Sequence, residues 1–208
     1  TGYILSKVKR IPLVFEVRDL WPESAIDTGM LENKLLIKMA FAAEGFIYRK
    51  AKMINVLTPA FLETLKHKKK VPPEKLIFIP NAADFSLSEH LLKSFDRTAF
   101  RKERHLEDKF VITYVGAHGL ANHLEQVLHA AKLLEDTPVH FLLIGDGNDK
   151  QRLIKLAAAM EVKNVQFVDS VPKTEVFKYI LASEMGASIL KKVDTFKTVY
   201  SNKTFDYM

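Results

Sequence analysis

Gly116 and Gly119 stand three residues apart, after a run of apolar residues and before a segment with helical spacing. Glycines let a backbone approach a ligand closely, and a helix N-terminus offers unpaired N–H groups and a positive dipole end. The loop that they form with Ala117 and His118 is therefore a candidate anion site. A tight turn without a ligand is the alternative, and a lone histidine in a loop is more often a surface residue than a ligand.

A second glycine pair, Gly145 and Gly147, also lies between an apolar run and a helical segment. A dinucleotide-binding fingerprint would need a third glycine in the Gly-x-Gly-x-x-Gly spacing, and the chain does not supply it. The pattern favours a structural turn in which Asn148 or Asp149 caps the next helix.

Residues 198–207 combine a polar loop with an apparent helix start. Ser201 and Asn202 are typical capping residues, Lys203 adds a positive charge, and Asp206 lies one turn further on, where it could accept hydrogen bonds from hydroxyl groups. The alternative is a capped surface helix with a solvated lysine.

The segment 16–24 holds the only tryptophan, Trp21, beside alternating charges. Arg18 and Asp19 there suit a polar, hydrogen-bonding substrate, or they form a structural ion pair while Trp21 packs in the core. Glu44 falls on the apolar side of a predicted helix, where it is either buried with a partner or half exposed.

Alternating strand and helix patterns must position these segments. In the first part of the chain, we predict strands at 11–17, 53–57 and 76–79, with helices at 33–52 and 59–68, the latter capped by Thr58. In the second part, we predict strands at 110–115, 139–144, 164–168 and 185–190, with helices at 123–135, 149–160 and 173–182.

These patterns predict an α/β protein with two doubly wound, Rossmann-like parallel-sheet domains. Residues 1–84 form the first, residues 110–208 form the second, and the polar segment 85–109 links them. Ligands of such folds bind at the carboxyl ends of the strands, so function is expected in the loops there.

Composition restricts the chemistry. The 208 residues include no cysteine, which excludes disulfides, thiolate zinc sites and cysteine nucleophiles. Apolar runs are too short to span a bilayer and the first residues lack the charged-then-apolar pattern of a signal peptide, so we expect a cytoplasmic protein. Up to residue 84 there are 14 Lys and Arg against 9 acids, and thereafter 17 against 16. Solvated lysines, a polyanion or an anionic membrane surface would each explain that excess.

Seven segments, in order and with their spacing, resemble the group 1 (family 4) glycosyltransferases, nearest to the fucosamine-transferase-like branch of bacterial O-antigen, capsule and exopolysaccharide synthesis. The segments are VFEVRDLWPES, VLTPAF, KLIFIPNAAD, ITYVGAHGLANHLEQVLHAA, FLLIGDGNDKQRL, NVQFVDSVPK and SNKTFDYM. The resemblance implies a GT-B type fold and a retaining hexosyltransferase that moves a sugar from a nucleotide-sugar donor, usually UDP-linked. It also implies no cofactor and no metal ion.

Position by position, the resemblance assigns donor binding to Gly116, Ala117, His118, Gly119, Val168, Ser201, Asn202, Lys203 and Asp206. The loop 116–119 and Lys203 would hold the diphosphate, residues 167–171 would border the base, and Asp206 would hold the ribose. Arg18 and Asp19 are the catalytic candidates, since Arg18 stands where many relatives carry a histidine facing the donor sugar. Asn81 and Asp84 match a motif at the domain connection.

The chain departs from the family pattern at three positions. Thr198 replaces the first glutamate of the E-x7-E pair, Asp206 replaces the second, and Asn122 stands where many relatives have a lysine. We interpret these changes as subfamily features. The family's first strand and acceptor loop are expected before Thr1 and its last helices after Met208, so both domains are expected to be incomplete.

The resemblance also implies partners. We expect a polyprenyl-linked saccharide acceptor, a nucleotide-sugar donor and no nucleic acid. The basic helices of the first domain are expected to contact the anionic inner membrane as a peripheral protein; their cations are Lys34, Lys38, Arg49, Lys50, Lys52, Lys66, Lys68, Lys69 and Lys70. A catalytically incomplete nucleotide-sugar-binding fragment and a GT-B type UDP-sugar epimerase are the alternative functions.

Overall fold

The computed structural model describes residues 1–208, apart from the side chains of Leu87, Ser88 and His90. The chain divides into two compact units, each described below by itself. The first unit contains Thr1–Asn81 with Lys192–Tyr200, and the second contains Ala82–Lys191 with Ser201–Met208. Both are α/β units with parallel sheets.

The first unit is built on a parallel three-stranded sheet in the order β1-β2-β3. Its strands are β1 (Val14–Val17), β2 (Met53–Val56) and β3 (Leu76–Phe78). Its helices are α1 (Gly2–Lys9), α2 (Glu23–Asp27), α3 (Lys34–Lys50) and α4 (Pro59–Glu63), followed by a π-helical turn (Thr64–Lys68) and 3-10 turns (Pro73–Lys75, Asp194–Thr198). The fully buried Ile54, Val56, Phe61 and Leu65 form the centre of its core.

Local capping explains where the predicted helices of this unit begin and end. The Asn33 side chain accepts from the amides of Leu35 and Leu36 at the start of α3. The predicted Thr58 cap is confirmed, because its Oγ1 accepts from the Phe61 amide at 3.1 Å. At the other end of α3, Lys75 Nζ donates to the carbonyls of Arg49 and of the C-cap residue Ala51.

Two features of the first unit differ from the sequence prediction. The strand predicted from residue 11 begins only at Val14, because the preceding residues connect it to α1, and Ile11 is 58% exposed. Helices α1 and α2 were not predicted. They are short, and α1 ends at Arg10 in a left-handed conformation with φ of 54°.

The second unit is built on a parallel four-stranded sheet in the order β6-β5-β4-β7. Its strands are β4 (Phe110–Val115), β5 (Val139–Ile144), β6 (Val165–Val168) and β7 (Met185–Gly186). Its helices are α5 (Ser86–Leu92), α6 (Arg97–Glu103), α7 (Glu125–Leu133), α8 (Lys150–Ala159), α9 (Lys173–Ala182) and α10 (Asn202–Tyr207).

Strand β5 is buried on both faces, as its continuous apolar run predicts. Phe141 and Leu143 pack with α7 and α8 on one side, while Leu142 and Ile144 pack with α6 and α9 on the other. This alternation follows from the two-residue period of a strand. It fixes the carboxyl end of β5, and the loop that follows it, in the middle of the sheet.

Residues 85–109 differ from the predicted linker, because they contain α5 and α6 and belong to the second unit. Phe100 and Leu106 are buried against the sheet and α9. Arg101 is also buried, and its guanidinium donates to the carbonyls of Ala182 and Lys109, each at 2.6 Å. Because most residues of this segment are charged or polar, its sequence pattern did not indicate these few buried residues.

The strand predicted at 185–190 is shorter in the structure. Only Met185 and Gly186 pair with β4, after which the Ala187 amide donates once to Thr113 and the chain leaves the sheet. The Tyr207 ring packs directly on Gly186, where an added Cβ would lie 2.4 Å from the ring. Within the described residues, no helix combines the length and apolarity needed to cross a bilayer.

Candidate functional site

The loops after β4 and β5 are hydrogen-bonded side by side at the carboxyl edge of the second sheet. The Gly116 amide donates to Ile144 O at 3.0 Å, and the His118 amide donates to Asp146 O at 2.8 Å. His118 O in turn accepts from the Asp149 amide at 3.0 Å. The two glycine segments that the sequence analysis treated separately therefore form one double loop.

Gly145 and Gly147 make this close approach possible. Both have positive φ, 140° and 159°. A Cβ on Gly145 would lie 2.0 Å from Gly116 O, and one on Gly147 would lie 2.4 Å from His118 O. Their role is thus more than making a turn, because they let a second backbone run alongside the candidate anion loop.

Alternate amides of the loop 116–119 remain available for a ligand. The amides of Gly116 and His118 are used between the loops, whereas those of Ala117 and Gly119 donate to no acceptor in the described part of the chain. The Ala117 carbonyl is held by Tyr114 Oη at 2.8 Å and by Asn122 Nδ2 at 2.9 Å. These two hydrogen bonds fix the orientation of the peptide group between Ala117 and His118.

His118 lies beneath the loop, fully buried, and not on the surface as is usual for a lone loop histidine. Its ring packs between Tyr114 and Phe167, with centroid distances of 6.0 and 6.1 Å. Burial, together with the positive charge of Lys150, lowers the pKa of His118 below its usual value. Its contribution to an anion site is therefore through packing, and the ring is neutral at neutral pH.

Lys150 is a further functional candidate that the sequence analysis missed. Its buried ammonium group donates to Gly145 O at 2.9 Å, to Val168 O at 3.3 Å and to the Asp169 carboxylate at 2.6 Å. It thereby joins the loops after β5 and β6, which also share the bond from the Gly145 amide to Val168 O. A lysine in the first turn of a helix is normally solvated, so its sequence gives no signal of this role.

Lys203 lies against the predicted loop, as the resemblance requires. A Cβ on Gly116 would lie 3.0 Å from Lys203 Cε. The Lys203 ammonium group is 4.7 Å from the Tyr114 ring centroid and donates to Asn122 Oδ1 at 3.2 Å. Burial lowers the pKa of Lys203 to about 8. Asn122 stands where many relatives have a lysine, and its side chain thus holds the Lys203 ammonium group beside the loop.

The rest of the α10 segment supports the same edge of the sheet. Ser201 is the N-cap residue of α10, but its side chain makes no capping hydrogen bond, unlike the predicted cap. Asn202 begins the helix. Asp206 lies 3.6 Å from Lys173 Nζ at the start of α9. Tyr207, which the sequence analysis did not select, accepts from the Val115 amide at 2.8 Å and so caps the end of β4.

Arg18 and Asp19 lie in the first unit, directly after β1. The alternative of an Arg18–Asp19 ion pair is not found, since Arg18 Nε lies 3.8 Å from Glu16 Oε1 and these two side chains are 60% and 48% exposed. Trp21 is 49% exposed and lines a cavity of about 190 Å³ with Arg18 and Asp19. The alternative that Trp21 packs in the core is therefore wrong. The cavity suits a polar ligand with an apolar face.

Glu44 is buried with a partner, which settles the question that its sequence position left open. Lys69 Nζ pairs with Glu44 at 2.8 Å and also with Glu23. The same ammonium group lies 4.8 Å from the Phe41 ring centroid. Lys69 is accordingly a structural cation and does not belong to the predicted membrane-facing set.

Among the side chains that the structure describes, no group of three or more His, Asp or Glu residues is arranged to hold a metal ion. The positive groups of the protein at the candidate site are Lys203 and the free amides of Ala117 and Gly119. Together they can neutralise an anion at the end of β4.

Known proteins that resemble this chain in sequence are glycosyltransferases. Residues 95–188 match the family described as Glycosyl transferases group 1. The chain is 37% identical over 168 residues to the putative colanic acid biosynthesis glycosyl transferase WcaI of Escherichia coli (strain K12), which covers 79% of this chain and 41% of that protein. The chain therefore spans less than half the length of this curated relative.

Solved structures share the fold. Alr3699/HepE of Anabaena, in complex with UDP-glucose, has a TM-score of 0.69 at 17% identity, covering 91% of this chain and 50% of that one. WaaG, a glycosyltransferase involved in lipopolysaccharide biosynthesis, has a TM-score of 0.65 at 18% identity, covering 84% and 50%. The predicted α/β, GT-B type fold is confirmed. Residues 95–188 thus carry the similarity of this chain to the group 1 glycosyltransferases.

Proposed function

We propose that the protein is a retaining glycosyltransferase that moves a sugar from a nucleotide-sugar donor, UDP-linked, to a lipid-linked or polysaccharide acceptor. The observation that carries this proposal is the position of Lys203, which lies against Gly116 and bonds to Asn122 at the carboxyl ends of the second sheet's strands. In a doubly wound fold this edge is where nucleotides bind.

The diphosphate of the donor would accept hydrogen bonds from the amides of Ala117 and Gly119 and would pair with Lys203. When the bond from the sugar to the diphosphate breaks, negative charge grows on the leaving phosphate oxygen. Fixed amide dipoles and a cation at that position stabilise the charge without reorganising. No metal ion and no cofactor are needed for this scheme.

Burial of Lys203 supports this role. An ammonium group with a pKa lowered to about 8 is poorly solvated. A diphosphate would supply the missing counter-charge, and its binding would raise that pKa again. Asn122 Oδ1 is a neutral acceptor and holds the amine without cancelling its charge.

The base and ribose would extend from the same edge. The backbone of residues 167–171 follows β6, and Lys150 joins Val168 O to the diphosphate loops. Asp206 would accept from the ribose hydroxyls, since its half-buried carboxylate lies 3.6 Å from Lys173 Nζ and remains partly accessible. Because an aspartate side chain is shorter than a glutamate side chain, the backbone of α10 would lie closer to the ribose.

The first unit would supply Arg18 and Asp19 as catalytic residues beside the cavity that Trp21 lines. A saccharide acceptor suits such a wall, because a sugar ring packs on an indole while its hydroxyls bind charged groups. We propose a polyprenyl-linked acceptor, a cytoplasmic location and peripheral contact with an anionic membrane. Nucleic acid is not proposed as a partner.

Transfer assays with the intact protein would test this function. UDP-sugars are supplied with lipid extract as acceptor, and released UDP is compared between the wild type, Lys203→Met and the surface control Lys155→Met. We expect Lys203→Met to lower the rate at least about tenfold and the control to match the wild type. An intact protein that binds UDP but never releases it from a UDP-sugar would contradict the proposal, and an epimerised sugar without acceptor would replace it.

A further inference from the structure

Eleven residues of the first unit enclose a second, larger cavity, of about 600 Å³. Five of them are cationic and none is acidic. The cationic residues are Lys7, Arg10, Lys50, Lys52 and Lys75. Small-molecule sites occupy roughly 300 to 1,000 Å³, so the cavity has the size of a ligand site.

This cavity and the pair Arg18 and Asp19 lie at opposite ends of the strands of their sheet. Leu13, Lys52 and Lys75 line it, and each directly precedes the first residue of β1, β2 and β3 respectively. Because the strands are parallel, the cavity is at their amino ends, whereas Arg18 follows the carboxyl end of β1. Nothing in the proposed transfer reaction uses this edge.

The cations of the cavity lack carboxylate partners. No carboxylate of the described residues lies within ion-pair distance of Lys7, Arg10, Lys50 or Lys52. Lys75 differs from the other four because hydrogen bonds hold its amine, which donates to Arg49 O at 2.9 Å and Ala51 O at 3.0 Å. These two bonds use the carbonyls at the end of α3.

Helix ends account for part of this charge. Lys7 and Lys50 lie in the last turns of α1 and α3, where cations oppose the helix dipole. Arg10 lies beyond the end of α1 and Lys52 beyond the end of α3, so the helix dipoles explain them less well. A concave surface lined by one sign of charge concentrates its field on an anion of the opposite sign.

We propose that this cavity binds a phosphate-bearing ligand. Arg10 supplies a planar fork that matches two phosphate oxygens, and Lys7, Lys50 and Lys52 supply point charges around it. Tyr3 and Ser6 also line the cavity. A soluble diphosphate and the headgroup of an anionic lipid share this chemistry. The site is separate from the diphosphate site at Lys203 and does not rest on the proposed transfer reaction.

The test is calorimetric titration of the chain with inorganic pyrophosphate in phosphate-free buffer. It is done in a Lys203→Met background, so that binding at the second sheet does not contribute. The double variant Lys7→Glu/Arg10→Glu reverses two cations of the cavity. Its control, Lys102→Glu/Lys155→Glu, reverses two exposed lysines of the second unit and changes the net charge equally. Circular dichroism checks that all variants fold, and Lys7→Gln/Arg10→Gln replaces the double reversal if it does not.

A parallel arm measures co-sedimentation with vesicles of phosphatidylcholine, with and without phosphatidic acid. We expect the cavity variant to lose at least about tenfold in affinity for pyrophosphate, for the acidic vesicles or for both, while the control loses less than about twofold. Binding of pyrophosphate alone identifies a soluble ligand, and binding of acidic vesicles alone identifies a lipid headgroup. No binding in either arm, or an equal loss in the control, would overturn the proposal.

Discussion

Gly116 and Gly145 touch through their backbones: a Cβ on Gly145 would lie 2.0 Å from Gly116 O. This contact holds the loop after β5 beside the loop after β4, and it exists because residue 145 has no side chain and a φ of 140°. The candidate diphosphate loop is therefore positioned by a second loop that binds no ligand in our proposal.

Substitution of Gly145 by alanine should separate these loops. The methyl group would clash with a backbone carbonyl and would also strain a backbone with positive φ, so we expect a loss of about 2 to 4 kcal/mol in the free energy of unfolding. Urea denaturation measures it. Gly119→Ala is the control, because a Cβ there meets only Asn148 Oδ1 at 3.7 Å. Equal stability of the two variants would show that the loops are not held as described.

Acid should destabilise the second unit through His140. Burial, with Lys109 nearby, lowers the pKa of His140 from 6.5 to about 4. The unfolded chain therefore binds more protons than the folded one between these values, and stability falls as the pH falls through that window. The full effect is on the order of 3 kcal/mol.

Thermal unfolding across that pH window, with His140→Gln and the exposed His129→Gln as control, isolates this contribution. His140→Gln should flatten the decline with pH and His129→Gln should leave it unchanged. A decline that is identical in all three proteins would assign it to other groups. His118, whose pKa is also lowered by burial, contributes in the same direction.

Arg101 should be necessary for docking α6. Its guanidinium donates to Ala182 O at 2.6 Å, Leu106 O at 2.7 Å and Lys109 O at 2.6 Å, and it pairs with Glu184 at 2.9 Å. Arg101→Met would remove one donor from each of these carbonyls and one cation from Glu184, at a cost of about 3 kcal/mol in unfolding free energy. Arg101→Lys should recover only part of it, because lysine lacks the planar fork.

The exposed Lys102→Met on the same helix is the matched control for Arg101 and should change stability by less than about 0.5 kcal/mol. Chemical denaturation of the three variants gives the comparison. If Arg101→Met and Lys102→Met are equally stable, the carbonyl cluster is satisfied in another way and α6 is held by Phe100 and Leu106 alone.

The sequence predicted those features that local pattern controls. The apolar run of β5 and the helix cap at Thr58 are found where they were expected, because strand burial and capping depend on neighbouring residues. It did not predict the buried Lys150, whose partners are two carbonyls and a carboxylate brought by separate loops. Burial of a charged group depends on such tertiary partners, which no spacing reveals.

The candidate site was predicted in part for the same reason. The family pattern linked Lys203 to the loop at Gly116, and the structure brings the two together. The buried packing of His118 and the close contact of Gly147 with its carbonyl were not predicted, because both depend on how one loop lies on another. The predicted linker belongs to the second unit, whereas the roles of Arg18 and Asp19 stay predictions.

The pH dependence of anion binding should report the charge of Lys203. With a pKa lowered to about 8, the free site loses its positive charge as the pH rises from about 7 to about 9. Affinity for UDP should therefore fall over this range in the wild type and stay flat in Lys203→Met. Since the unfolded chain holds this proton more tightly, the folded state should gain stability as the pH rises from about 8 to 10.5.

Calorimetric titration of the chain with UDP at about pH 7 is the most direct test of the central claim, that Lys203 and the loop 116–119 form the diphosphate site. The account predicts binding by the wild type and by Lys155→Met, and an affinity lower by about tenfold or more in Lys203→Met, with all three proteins folded. Equal UDP affinity in the wild type and Lys203→Met would contradict it.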